Sequence, residues 1–242
     1  MRPYLFVVLF YGWTTLSGIF VLPFLLGPPG PILAYSRVWI RVSLWLLRVS
    51  VGISHRVIGT ENIPTGPVMF AIKHQSAWDT LAINLIVRDA AIVLKRELTW
   101  IPLFGWCLLR SRQIAIDRSG GISALRGMVS AARAALTNGR PVIIYPEGTR
   151  VAPGDRAPYH AGVSALYEAL NAPVVPVALN SGRFWPRRSL KLTPGIITIE
   201  FLPPLPAKMR RHDFLEALET AIETTSERLN QEITQTNVSM RG

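Results

Sequence analysis

The chain has 242 residues, of which 26 are Lys or Arg and 15 are Asp or Glu, giving a net charge of +11 and a pI near 10.6. Hydrophobic residues make up 49% and mean hydropathy is +0.28, high for a freely soluble protein. The length suits one domain, or at most two, with a real core. The charge calls for an anionic partner. With no zinc finger, RNA-binding aromatic signature or long lysine run, nucleic acid is excluded as that partner.

Residues 3–36 carry no charge, and the apolar stretch YLFVVLFYGWTTLSGIFVLPFLLG (4–27) is long enough to cross a bilayer. Its apolar core is too long for a signal peptide and no small-residue cleavage site follows, so a retained membrane segment is expected. Pro23 and GPPGP (27–31) end it. Next comes ILAYSRVWIRVSLWLLRVSV (32–51), where Arg37, Arg41 and Arg48 fall within about 40° of one another on a helix. A basic stripe on a Trp-rich helix suits a headgroup region and places that side of the membrane in the cytoplasm. A buried helix with a solvated arginine face is the alternative. Residues 1–60 hold five arginines and no acidic residue, so the basic excess coincides with the most apolar part of the chain. Residues 1–54 are expected to form a membrane-anchoring helical region, and 55–242 a globular domain.

Within that domain, β-rich runs alternate with helical stretches. Strands are predicted at 68–72, 91–94, 113–116, 141–145, 173–179 and 196–202, with helices over 79–87, 101–110, 123–138 and 160–170. An amphipathic, mildly acidic C-terminal helix is predicted at about 212–233. The fold class is α/β: a mixed, largely parallel sheet flanked by helices, preceded by an N-terminal membrane-associated helical segment. Cys107 is the only cysteine, which rules out an intrachain disulfide and fits a packing role beside Trp106.

Two constellations carry chemistry. In KHQSAWD, His74 and Asp79 are five residues apart, about 140° on a continuous helix, so they meet only where a strand gives way to a helix. Ser76 is then a natural N-cap and Asp79 completes a pattern close to a capping box. On one reading the two residues merely start a helix. On the other, Asp79 fixes the tautomer of His74, whose second nitrogen deprotonates a hydroxyl, while backbone N–H groups at the helix start hold an oxyanion. No G-x-S-x-G elbow surrounds Ser76, which argues against a serine hydrolase. In IIYPEGTR (143–150), a strand ends in a tight turn expected to present Glu147, Thr149 and Arg150 at its tip. Arg150 is a fork-shaped donor suited to phosphate. Arg118 and Lys95 also follow strands, and such ends converge on one rim of an α/β sheet.

Together HQSAWD (74–79), IAIDR (114–118), YPEGTR (145–150) and VPVALNSG (175–182) resemble the four ordered blocks of the glycerophospholipid acyltransferase family, most of all its bacterial 1-acyl-sn-glycerol-3-phosphate acyltransferases. The resemblance covers roughly residues 55–205 and implies acyl transfer from a thioester to a lysophosphatidate hydroxyl, giving phosphatidate. It makes His74 the general base and Asp79 its orienting partner. It assigns the acceptor's phosphate to Glu147, Gly148, Thr149 and Arg150, with Arg118 and Lys95, and links Pro176 with donor binding or packing. No metal or cofactor is implied; acyl-CoA or acyl-ACP is the co-substrate. Membrane lipids are the expected surroundings, at a bacterial inner membrane with the site facing the cytoplasm. One departure is Lys73, where the family often has Asn. Other acceptors, a Ser76-dependent thioesterase or lipase, and a non-enzymatic lipid-binding module are the competing readings.

Overall fold

The computed structural model describes residues 1–239. Its first two helices form a hairpin. Helix α1 (Arg2–Phe20) runs through a short 3-10 turn (Leu22–Leu26) into α2 (Pro29–Val51). Prolines occupy the first turn of both helices, where a missing N–H costs nothing. Gly52 ends α2 at φ +86°, a left-handed cap that L side chains resist, with its N–H bonded to Arg48 O. Polar groups inside the hairpin tie its arms together: Trp13 Nε1 donates to Trp39 O, Trp39 Nε1 to Thr14 Oγ1, and the Tyr35 hydroxyl to Ser17 O. The outer face of α1 is apolar and bare, with Tyr4, Val8 and Ile19 each about 60–70% exposed. Helix α1 is long and apolar enough to cross a membrane, yet Phe6 is buried and packs edge-on against Trp185 of the globular part.

Seven strands form one sheet: β1 (Ile53–Ile58), β2 (Met69–Ile72), β3 (Ala91–Lys95), β4 (Ile114–Ile116), β5 (Val142–Ile144), β6 (Val174–Leu179) and β7 (Gly195–Phe201). Their order is β1-β7-β6-β2-β5-β3-β4, parallel throughout except for the β6–β7 pair. The expected fold class is what the structure shows. Six strands lie where apolar runs predict them. The seventh, β1, starts at Ile53, ahead of the expected boundary at 54/55. Between the strands lie α3 (Ala77–Ile86), α4 (Phe104–Arg110), α5 (Gly121–Thr137) and α6 (Ala161–Leu170). Helix α7 (Arg211–Ser239) closes the chain and is longer at both ends than the predicted 212–233.

The sheet is buried on both faces, as parallel sheets require. Alternation along β2 shows how: Phe70 and Ile72 join a core with α2 and α3, while Met69 and Ala71 join one with α5, α6 and α7. Leu46, Leu47 and Val51 of α2 belong to the first of these cores. The hairpin therefore shares its packing with the sheet. Strands β2 to β6 all point the same way, so their C-terminal ends meet on one rim, with β2 at the centre.

Candidate active site

At the end of β2 the chain leaves the sheet through Lys73, whose N–H still bonds Val177 O, and turns at His74 and Gln75 into α3. Ser76 has extended backbone and caps α3, its Oγ accepting from Trp78 N at 3.2 Å. Asp79 returns the bond, its Oδ2 accepting from Ser76 N at 2.8 Å and Gln75 N at 2.7 Å. The same oxygen lies 3.0 Å from His74 Nδ1. The two readings of this segment are therefore one arrangement: the helix cap is also the histidine's partner. Ser181, just beyond β6, donates its hydroxyl to Asp79 Oδ1, so both carboxylate oxygens are satisfied at 2% exposure.

These contacts assign the tautomer. An ionised carboxylate only accepts, so Nδ1 carries a proton, and in the neutral ring the lone pair is on Nε2. Among the described residues Nε2 makes no hydrogen bond. The His74 ring lies over Tyr145, with centroids 4.3 Å apart and planes at 30°. Burial, and then the Asp79 charge, raise the Tyr145 phenol well above its ordinary value, which keeps it neutral.

Beside β2, β5 ends in the turn Tyr145–Gly148, closed by Gly148 N to Tyr145 O at 2.9 Å. Gly148 has φ +61°, and a Cβ there would fall 2.8 Å from both terminal nitrogens of Arg118 and 2.7 Å from the His160 ring. The bare glycine lets the Arg118 guanidinium of the β4 loop lie on the β5 turn. A base, an orienting acid and arginines from the ends of β4 and β5 thus share one rim, the position where α/β sheets bind ligands.

A family model described as Acyltransferase matches residues 54–180. The chain belongs to the acyltransferase family. Among its relatives, the 1-acyl-sn-glycerol-3-phosphate acyltransferase of Pseudomonas aeruginosa is 38% identical over 200 residues, covering 81% of this chain and 76% of the relative. The bovine 1-acyl-sn-glycerol-3-phosphate acyltransferase alpha is 27% identical over 219 residues, 89% of this chain and 76% of its own. The crystal structure of the 1-acyl-sn-glycerophosphate acyltransferase PlsC from Thermotoga maritima has the same fold, with a TM-score of 0.76 at 22% identity over 95% of this chain and 98% of that one.

The remaining expected residues of the acyltransferase fall into two groups. Arg150 stands close enough to the Tyr145 phenol to act on its ionisation, and its carbonyl accepts from Arg187 Nη1 at 2.8 Å. Thr149 is exposed on the same turn. Lys95 is exposed at the end of β3 and bonds none of the others. Pro176 is buried inside β6, opposite Ala71 of β2. Glu147 differs from expectation: instead of standing at the turn's tip it points inward, 1% exposed, with Oε2 accepting from the backbone N–H of His74 at 2.9 Å. Three of the N–H groups around the helix start, where oxyanion donors are expected, are taken. The N–H groups of Gln75, Ser76 and Trp78 are already committed to Asp79 and Ser76.

Sequence reasoning missed three contributors, Ser181, Asn180 and Glu223, and left the role of Lys73 open. Ser181 sits in a block whose polar residues suggested no role. Asn180, beside it, holds α7 and β7, with Nδ2 donating to Leu229 O and Oδ1 accepting from Thr198 N. Lys73 and Glu223 form a buried ion cluster with Glu147. Lys73 Nζ lies 2.5 Å from Glu147 Oε1 and donates to both Glu223 oxygens at 2.7 and 2.8 Å. Burial raises the Glu147 carboxyl to about 7, against the pull of Lys73. The lysine's position in the chain was legible; its partners, 74 and 150 residues away, were not.

Proposed function

We propose that this acyltransferase is a membrane-bound 1-acylglycerol-3-phosphate O-acyltransferase, which passes a fatty acyl group from acyl-CoA or acyl-ACP to lysophosphatidate and releases phosphatidate. The observation that carries the mechanism is the 3.0 Å contact between His74 Nδ1 and Asp79 Oδ2, which leaves Nε2 as a base. The names of the bacterial and bovine relatives support the choice of acceptor. In the reaction, Nε2 takes the proton from the acceptor's hydroxyl, and the oxygen attacks the thioester carbonyl. The resulting oxyanion collapses, the C–S bond breaks, and the imidazolium returns its proton to the departing thiolate. The thioester is already activated, so neither an enzyme nucleophile nor a cofactor is required. Ser76, fully buried and accepting from Trp78 N, is a cap and not a nucleophile.

Arg118 and Arg150 bind the acceptor's phosphate, with Gly148 giving the Arg118 guanidinium its room and Thr149 and Lys95 at the rim. Glu147 serves the base side of the site, not the phosphate, because a buried carboxylate repels a phosphate dianion. The apolar outer face of α1 and the exposed Trp45, Trp100 and Trp106 support seating in a lipid surface. Because α1 also packs on the globular part, Phe6 against Trp185, the hairpin sits in one leaflet, and the arginines of α2 favour the cytoplasmic leaflet of a bacterial inner membrane, site toward the cytoplasm. The test is a panel of lysolipids and glycerol 3-phosphate with labelled acyl-CoA and acyl-ACP, run with His74→Ala as control. Turnover of lysophosphatidate that His74→Ala abolishes is the expected result; turnover of a different acceptor alone would replace the substrate assignment.

A further inference from the structure

Of the buried ions behind His74, only Glu147 has a place in the chemistry just described. Lys73, Glu147 and Glu223 are 1%, 1% and 6% exposed, and the Tyr159 hydroxyl adds a bond to Glu223 Oε1 at 3.0 Å. Burying ions is expensive, and replacing such a cluster with apolar packing is often neutral or stabilising. Stability alone is therefore a poor account of why it is there. Its geometry gives a better one. Glu147 Oε2 receives the backbone N–H of His74, while its other oxygen meets Lys73 Nζ, which Glu223 grips with both oxygens. The chain His74–Glu147–Lys73–Glu223 runs from the proposed base into the middle of α7.

We infer that Lys73 and Glu223 are positioning residues through which α7 holds the backbone of His74, acting by way of Glu147. The inference rests on His74 being the base. It gives α7, which lies beyond the matched family region of 54–180, a part in the reaction. The link works while Glu147 is ionised, because a carboxylate accepts an N–H more strongly than a carboxylic acid does. Burial and Glu223 favour the protonated form of Glu147; Lys73 favours the ion. Two further charges lie close by among the described residues: Arg156 of the loop before α6, paired with Glu227 at 2.9 Å and within electrostatic reach of Glu223, and Glu219 of α7, which acts on Arg156 and Tyr159.

Glu223→Gln keeps the shape of the side chain and removes its charge. It is expected to lower kcat about tenfold with KM for both substrates within about twofold, and to move the acidic limb of the kcat–pH profile about half a unit lower, because Glu147 then ionises more easily. Lys73→Met, where it folds, moves that limb higher. The deciding comparison is made in a Glu147→Gln background: adding Glu223→Gln there leaves both kcat and the limb unchanged. A limb that still moves in that background shows that Glu223 acts without Glu147 and overturns the inference. So does a Glu223→Gln enzyme with wild-type kcat and profile at equal folded fraction, since the cluster then serves folding only. His74→Ala runs alongside: if it retains activity, the reading of the base has failed, whatever Glu223 does.

Discussion

Ser181 Oγ donates a hydrogen bond to Asp79 Oδ1, joining the end of β6 to the first turn of α3 across 102 residues. The bond leaves Asp79 with no free oxygen to swing toward. Ser181→Ala strands that oxygen in a fully buried site, which costs about 1–3 kcal/mol. It also frees the carboxylate to rotate away from His74. A fall in kcat of about tenfold with little change in KM is expected, read by steady-state kinetics beside thermal unfolding. A variant with lowered melting temperature and normal kcat would show that Ser181 supports folding alone.

Asp79 has two duties and His74 has one, so their alanine variants should separate. His74→Ala removes a side chain with one polar contact; it should lose at least about 1000-fold in kcat with little effect on stability. Asp79→Ala removes the acceptor of two backbone N–H groups as well as the histidine's partner. It should lose activity to a similar degree and cost a further 1–2 kcal/mol, roughly the worth of a helix cap. Denaturant unfolding of both proteins checks this, and equal stability would remove the capping duty.

Gly148→Ala places a methyl on the Arg118 guanidinium and strains a left-handed residue. The backbone term costs about 1 kcal/mol. The larger effect is on the acceptor: with Arg118 displaced, KM for lysophosphatidate should rise about tenfold while KM for the acyl donor stays near normal. Arg118→Ala should reproduce the rise. Equal changes in both KM values would move Arg118 out of the phosphate site.

The Glu147 carboxyl, raised by burial from 4.5 to about 7, makes stability depend on pH with a definite sign. Between those values the folded protein holds a proton that the unfolded chain has lost. Its contribution is complete below about pH 4.5 and disappears as pH rises through about 7. Removing the group with Glu147→Gln isolates it from other titrations. The stability of wild type relative to Glu147→Gln should therefore increase on going from pH 8 to pH 6, by up to about 1.4 kcal/mol per unit. Unfolding free energies at three pH values suffice, and a difference independent of pH would contradict the assignment.

Tyr4 and Val8 are 66% and 69% exposed on the outer face of α1, one turn apart. Replacing both by Glu should leave the melting temperature in detergent unchanged, since neither packs inward. Co-sedimentation with anionic vesicles should drop by an order of magnitude or more, roughly the value of burying two large side chains. Unchanged sedimentation would move the lipid contact to another face.

His74 and Asp79 were legible because their relationship is local: a strand end, a cap and a carboxylate three residues into the helix follow from one another. Six strands were legible for a similar reason, since a strand buried on both faces is a short apolar run. The exception, β1, reads ISHRVI and is half exposed at the sheet's edge, so it lacks that run. Glu147 was misplaced because a Pro-Glu-Gly turn looks alike whichever way its side chains point. What turns this one inward is Lys73 with Glu223, and no local pattern announces a partner 150 residues away. Ser181 was invisible on the same ground.

The sheet's first strand finds its partner in its last. Every residue of β1 is paired with β7, from Ile53 with Gly195 to Ile58 with Glu200, and the hairpin before β1 meets Trp185. Synthesis runs from the other direction. When β1 leaves the ribosome, about 140 residues still separate it from its partner strand, or roughly ten seconds of translation. During that interval an apolar hairpin and an unpaired strand edge need shelter. A lipid surface offers it to the hairpin at once. On this view the membrane first serves the nascent chain as a holding place, and only later the finished enzyme as a source of substrate.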